Sequence, residues 1–177
     1  MEKTNVNYLD CIQKTYELMV TPGLLLVSVD SKNKPNAMAI AAGSVGPLLK
    51  RAIFVIWVRP SRYTYNLIEE TGDFTVNVPA KGMEEIVSYC GTVSGRDHDK
   101  FKEKGLTAVP SRLIKSPVID ECIIHYECKV IQKNDVIPET LSNWMKEEIY
   151  PEQDYHRLYF GEVLATYVDK SFVERLK

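Results

Sequence analysis

Arg59–Thr64 reads RPSRYT, with Arg59, Ser61, Arg62 and Thr64 placed just ahead of a run with helical spacing. Guanidinium forks suit bidentate contact with phosphate oxygens, and a helix start adds unpaired amide donors and a favourable partial charge. The same residues also fit a plainer arrangement in which Ser61 caps the helix and the arginines are solvated. A second cluster, CGTVSGRDHDK from Cys90 to Lys100, combines Gly91, Gly95, Thr92, Ser94 and Arg96 with a lysine at the first turn of a helix. It has the backbone freedom and donors of an anion-binding loop, although its residue types are also those of an ordinary surface turn. A third stretch, NAMAIAAGS from Asn36 to Ser44, carries side chains small enough for a flat ligand to reach the backbone amides and carbonyls. Its alternative is an alanine-rich strand packed under a helix.

Other chemistries find little support. No GxGxxG or Walker loop is present, so a nucleotide would need another device. Cys11, Cys90, Cys122 and Cys128 form no CxxC pair and no zinc-binding spacing, which favours structural thiols. No nucleophile triad is indicated. A formal net charge of -2 provides no long-range attraction to nucleic acid or an acidic membrane, and any anion site must be built locally. No apolar run approaches a membrane span and no secretory leader is evident, so the expected compartment is the cytoplasm.

The surrounding pattern predicts what positions these clusters. With 177 residues, 45% of them hydrophobic and 26% charged, the chain suits one globular domain over 1–177. Leu9, Ile12, Tyr16 and Met19 predict an amphipathic helix stopped at Thr21–Gly23. Strands are expected at Leu24–Val29, Ala37–Val45, Ile53–Val58, Phe74–Val78 and Phe160–Val168, and IFVIWV should be covered on both faces. Helices are expected over Arg62–Gly72, Gly82–Gly91 and Asp97–Gly105, with Gly72 and Gly105 as stops. In ECIIHYECKVI the alternation places His125, Glu127 and Lys129 on an exposed face, and His98 is expected to be exposed as well. Glu139–Ile149 reads as a helical insertion. With strands outnumbering helices and no regular strand-helix-strand order, the pattern fits a mainly antiparallel β-barrel, closed or nearly so, with peripheral helices.

In order, NAMAIAAGS, RPSRYTYNLIEETGDFTVNVP, YCGTVSGRDHDKF, ECIIHYEC and HRLYFGEV resemble the flavin reductase and flavoredoxin family over roughly Pro22 to Asp169. The resemblance implies an FMN-binding split β-barrel of antiparallel, Greek-key type that works as a homodimer with the flavin near the interface. It implies that Asn36, Ala37, Met38, Ala41, Ala42, Gly43 and Ser44 line the isoalloxazine edge, and that Arg59, Ser61, Arg62 and Thr64 hold the phosphate. Ser94, Gly95 and Lys100 would close the site, with Lys100 donating toward the flavin pyrimidine. Cys90 would lie beside the flavin as a redox or a structural thiol, and His156, in the HxxxxGEV position, would face the flavin or substrate or make a structural hydrogen bond. The implied chemistry is FMN-dependent oxidoreduction with NADH or NADPH as donor, or electron carriage to a redox protein partner, or flavin binding without catalysis. The segment 134–155 is longer than the turn many relatives carry there and is expected to form an insertion.

Overall fold

The computed structural model describes residues 3–173. Asn7 opens the first helical segment by accepting from the Leu9 amide at 3.0 Å, and a 3₁₀ turn (Tyr8–Cys11) runs into α1 (Ile12–Val20). Chain order continues from β1 (Lys3–Asn5) and α1 through β2 (Leu24–Val29), β3 (Pro35–Ile40), β4 (Gly43–Leu48), β5 (Arg51–Val58), α2 (Tyr63–Thr71) and β6 (Asp73–Val78). It then passes α3 (Glu84–Thr92), α4 (Lys100–Lys104), β7 (Ala108–Val109), β8 (Val118–Ile119), β9 (Ile124–Asp135), β10 (Arg157–Asp169) and α5 (Lys170–Val173).

Eight strands form one antiparallel sheet in the order β3-β2-β6-β9-β10-β5-β4, with β1 also on β10, while β7 and β8 form a separate pair. β3 and β4 are sequence neighbours yet stand at opposite ends of this hydrogen-bonded path. The sheet therefore curls until its two ends meet at the exposed corner Ala41–Ala42, without a ladder between them. The single strand expected over Ala37–Val45 is thus two strands. β3 is committed to β2 and β4 to β5, so the chain must change partners between them.

Inside the curl, Leu24, Leu26, Phe54, Ile56, Phe74, Val76, Tyr126 and Cys128 form the principal core. α1 closes one side: Cys11 and Met19 join the cluster, and the Thr15 hydroxyl lies 2.6 Å from the buried Tyr126 hydroxyl. A second cluster lies outside the sheet, where Leu25, Val27 and Ala37 meet Met83, Val87, Cys90 and Phe101. α3 and α4 supply that cover, so every residue of β2 is buried. β5 differs from expectation: Phe54, Ile56 and Val58 are buried, but Val55 and Trp57 are only partly covered. Its outer face lacks the helical layer that covers β2.

His125 and Glu127 are also not exposed; both are fully buried, while Lys129 is exposed as expected. The segment carrying β7 and β8 folds over this face, and Glu127 accepts from the amides of Arg112 and Leu113 at 2.8 Å and from the Tyr167 hydroxyl at 2.9 Å. His125 sits between Lys3 Nζ, 2.9 Å from Nε2, and Asn77 Oδ1, 2.9 Å from Nδ1. An ammonium can only donate, so Nε2 is the acceptor and the neutral ring carries its proton on Nδ1, toward Asn77. Asn77 completes the network by donating to Leu25 O and Thr75 Oγ1. Expected exposure failed here because strand alternation reports the face and not what later covers it.

The insertion also departs from a single helix. Pro138–Thr140 forms a 3₁₀ turn and Met145–Ile149 a π-helical turn, with no buried residue in either. Short helices gain most of their stability from packing, and here Leu141, Trp144, Met145 and Ile149, although at helical spacing, find no surface that buries them. Among the described residues, no helix is long and apolar enough to cross a membrane.

Burial, reinforced by the nearby Lys3 ammonium, lowers the His125 pKa to about 3. Burial and Arg59 lower that of His156 to about 4. For such groups the unfolded chain binds more protons than the native one between the folded value and about 6.5, so stability is intact above that range and falls with pH inside it. Urea unfolding of the wild type should show stability falling from pH 7 to pH 5, and His125→Gln should reduce that slope. An unchanged slope would assign the loss elsewhere.

Candidate functional site

The open end of the sheet leaves two adjoining cavities that share Met38, Arg62 and Gly91. The first, of about 140 Å³, lies between β3, the start of α2 and the loop after α3. Arg62, Arg96 and Lys100 are among its lining residues, and no carboxylate is. Arg62 is the N-cap of α2, and no side chain caps this helix, leaving first-turn amides available to an anion. Thr64 is buried there and accepts at Oγ1 from Asn36 Nδ2 at 2.9 Å. The loop Val93–Asp99 forms the facing wall, where Arg96 donates to Ser61 O at 3.0 Å and stands over the Tyr63 ring at 5.4 Å.

Gly95 is what allows these walls to meet. A Cβ at this position would lie 1.9 Å from Asn36 Oδ1 and 2.9 Å from Tyr63 Cδ1. Lys100 fixes the floor: only 4% exposed, its ammonium donates to Ala37 O and Cys90 O, each at 2.8 Å. Burial, with a smaller contribution from Arg62, holds its pKa below the usual lysine value against an opposing pull from Cys90. Lys100 was expected as a donor to a bound ring; two of its three donors instead hold the backbone together.

The second cavity, of about 220 Å³, runs beside Met38–Ala42 and is walled by Trp57, Arg59, Arg62 and His156. Its character is that of a slot, with small side chains on one edge and an indole and an imidazole on the other. The rings of Trp57 and His156 meet edge to face at 6.0 Å. His156 Nδ1 lies 2.9 Å from the Tyr150 hydroxyl, and the low pKa keeps this imidazole neutral near pH 7. Arg59 belongs to this second cavity and not to the first; it donates to Ile149 O at 2.8 Å and lies over Tyr150.

The expected site residues therefore divide. Asn36, Met38, Ser61, Arg62, Thr64, Cys90, Ser94, Gly95 and Lys100 meet at the first cavity, and Ala41, Ala42, Arg59 and His156 at the second. Ala37, Gly43 and Ser44 line neither. Ala37 is buried in the outer cluster, with its carbonyl on Lys100. Gly43 backs onto Val55 O, where a Cβ would approach to 2.7 Å, and Ser44 is exposed beyond the corner. Ser61 does not cap α2, because its hydroxyl is bonded to Asp154. Cys90 is buried and burial raises its pKa, so it is a thiol rather than a reactive thiolate. Trp57 and Tyr63 escaped sequence reasoning; the period-two alternation with Phe54, Ile56 and Val58 was the signal available for Trp57.

Gly95→Ala should cost about 1–3 kcal/mol through overpacking. Thr92→Ala, at an exposed position on the same wall, should stay within about 0.5 kcal/mol. Urea unfolding of the two variants checks this, and equal effects would contradict the close approach at Gly95.

A family model described as the flavin reductase like domain matches residues 18–176. Over 114 residues the chain is 36% identical to an uncharacterized protein of Archaeoglobus fulgidus, a match covering 64% of this chain and 63% of that protein. The chain thus spans less than two thirds of that relative's length. A flavoredoxin from Methanosarcina acetivorans superposes with a TM-score of 0.69 at 28% identity, covering 88% of this chain and 73% of that one. A Shewanella frigidimarina protein with a split barrel domain has a TM-score of 0.69 at 17% identity over 91% of this chain and 75% of its own, which shows the fold alone. With a sheet open between β3 and β4 and a family match across nearly its whole length, this chain belongs to the flavin reductase like family.

Proposed function

We propose that the protein binds FMN non-covalently and takes part in redox chemistry, with the phosphate in the first cavity and the isoalloxazine toward the second. The observation that carries this reading is the carboxylate-free lining with Arg62, Arg96 and Lys100 at an uncapped helix start, continuous with a slot of small residues. The donor set fits a phosphorylated flavin: cations and amides serve an anion, and the backbone of Met38–Ala42 serves the edge of a flat ring. The cradle at Gly95 also fits, because the loop can approach Asn36 only without a side chain.

When bound, FMN supplies the electron or hydride chemistry, and the chain's residues position it. Arg62 and the first-turn amides of α2 hold the phosphate, while Lys100 keeps the floor rigid without contributing a reacting proton. Arg59 and Arg62 stabilise negative charge beside the slot. His156, neutral and aligned by Tyr150, contributes shape and a hydrogen-bonding nitrogen. NADH or NADPH as electron donor is the enzyme reading, an FMN-dependent oxidoreductase. The likeness to the Methanosarcina acetivorans flavoredoxin favours a second reading, an electron carrier serving a redox protein. Anaerobic mixing of the FMN-loaded protein with NADH and NADPH separates them: rapid bleaching supports the enzyme, and none supports the carrier.

A homodimer belongs to the same proposal, since the β4 edge is open and Leu48 and Leu49 beside it are exposed. Four buried free cysteines suit a reducing compartment, which supports a cytoplasmic location. FMN should bind far more tightly than riboflavin, because charge-assisted phosphate contacts contribute on the order of 1.5–3 kcal/mol each. Arg62→Ala should raise the FMN dissociation constant roughly tenfold or more and barely change that of riboflavin. Fluorescence titrations with both flavins check this; equal losses would move Arg62 from the phosphate to the ring or the pocket's shape.

A further inference from the structure

We infer that Asp154 acts as an internal competitor for the anion site, lowering its preference for phosphate-bearing ligands through Ser61. This rests on the phosphate assignment given above. Ser61 lines the first cavity. Its Oγ donates to Asp154 Oδ2 at 2.5 Å. A hydroxyl has a single proton to donate, so while Asp154 holds it Ser61 presents only lone pairs to an incoming anion. An oxygen lone pair facing a phosphate oxygen repels it. Asp154 also brings a carboxylate charge to the rim of a cavity whose own lining has none.

The arrangement does not depend on Ser61 alone to keep the carboxylate nearby. Asp154 lies on the connection between β9 and β10, and this connection is fastened to the site on both sides of it. Arg59 grips the backbone at Ile149 O, and Tyr150 bridges to His156. Asp154 is thus presented by a clamped segment. Arg62 and the amides of α2 would still attract phosphate, but Ser61 joins them only after exchanging its partner. The hydrogen bond to a carboxylate is charge-assisted, so this exchange opposes much of the gain from an added phosphate contact. Asp154 is a positioning residue, since its effect passes through the Ser61 hydroxyl.

The test measures dissociation constants for FMN and riboflavin with wild type, Asp154→Ala, Asp154→Asn, Ser61→Ala and the double variant Ser61→Ala/Asp154→Ala. Asp154→Ala should tighten FMN roughly tenfold and leave riboflavin within about twofold, the difference expected when one charged contact is freed for the phosphate. Asp154→Asn keeps an acceptor for Ser61 but loses the charge, and should give a smaller gain. In the Ser61→Ala background most of the gain from Asp154→Ala should vanish. Weaker FMN binding in Asp154→Ala, equal changes for both flavins, or the full gain retained without Ser61 would overturn the inference. If the wild type prefers FMN but Asp154→Ala does not increase that preference, only this inference fails. If the wild type binds the two flavins equally, the phosphate assignment fails and this inference with it.

Discussion

The first cavity depends on a buried ammonium. Lys100 ties Ala37 O on β3 to Cys90 O in α3 while standing at the first position of α4, so one charge fixes three walls. Two buried carbonyls left without a partner would each cost about 1–3 kcal/mol, and a side chain of similar length without donors, such as methionine, would leave both unpaired. The cation also lies near the C-terminal end of α3, where the helix dipole favours positive charge. The same charge adds to the field of Arg62 at the other wall. Structural stability and the proposed anion affinity therefore draw on one group.

The open sheet edge supplies the second constraint. Because β3 and β4 leave the corner Ala41–Ala42 on different ladders, the backbone along Met38–Ala42 has no strand on the edge opposite the β2 ladder. A closed barrel would use those amides and carbonyls internally. Here they border a slot whose opposite wall comes from Trp57 on β5 and His156 just before β10. The first cavity and the slot are neighbours because α2 begins soon after β5 and its N-cap, Arg62, lines both, while Arg59 lines the slot alone.

Much of this was legible in the sequence. The strand and helix order followed from alternation and from glycines such as Gly72 and Gly105, which are left-handed at the ends of α2 and α4. The clusters around Arg62 and Gly95 were visible as donor-rich segments, but their meeting was not, since it depends on the curl of the sheet. Lys100 read as a ligand donor because its burial comes from α3 and β3, which no local pattern reveals. His125 and Glu127 read as exposed because the covering segment follows no regular period. Asp154 looked like part of an insertion, and only the fold places it on Ser61.

The measurement that bears most directly on the central claim is the visible absorption spectrum of the protein after saturation with FMN and removal of free flavin by gel filtration. A single joined cavity and slot should retain about one FMN per chain, with a flavin band shifted from that of free FMN by the change in ring environment. Protein that elutes colourless, under conditions where it remains folded, would contradict the assignment of these residues to a flavin site.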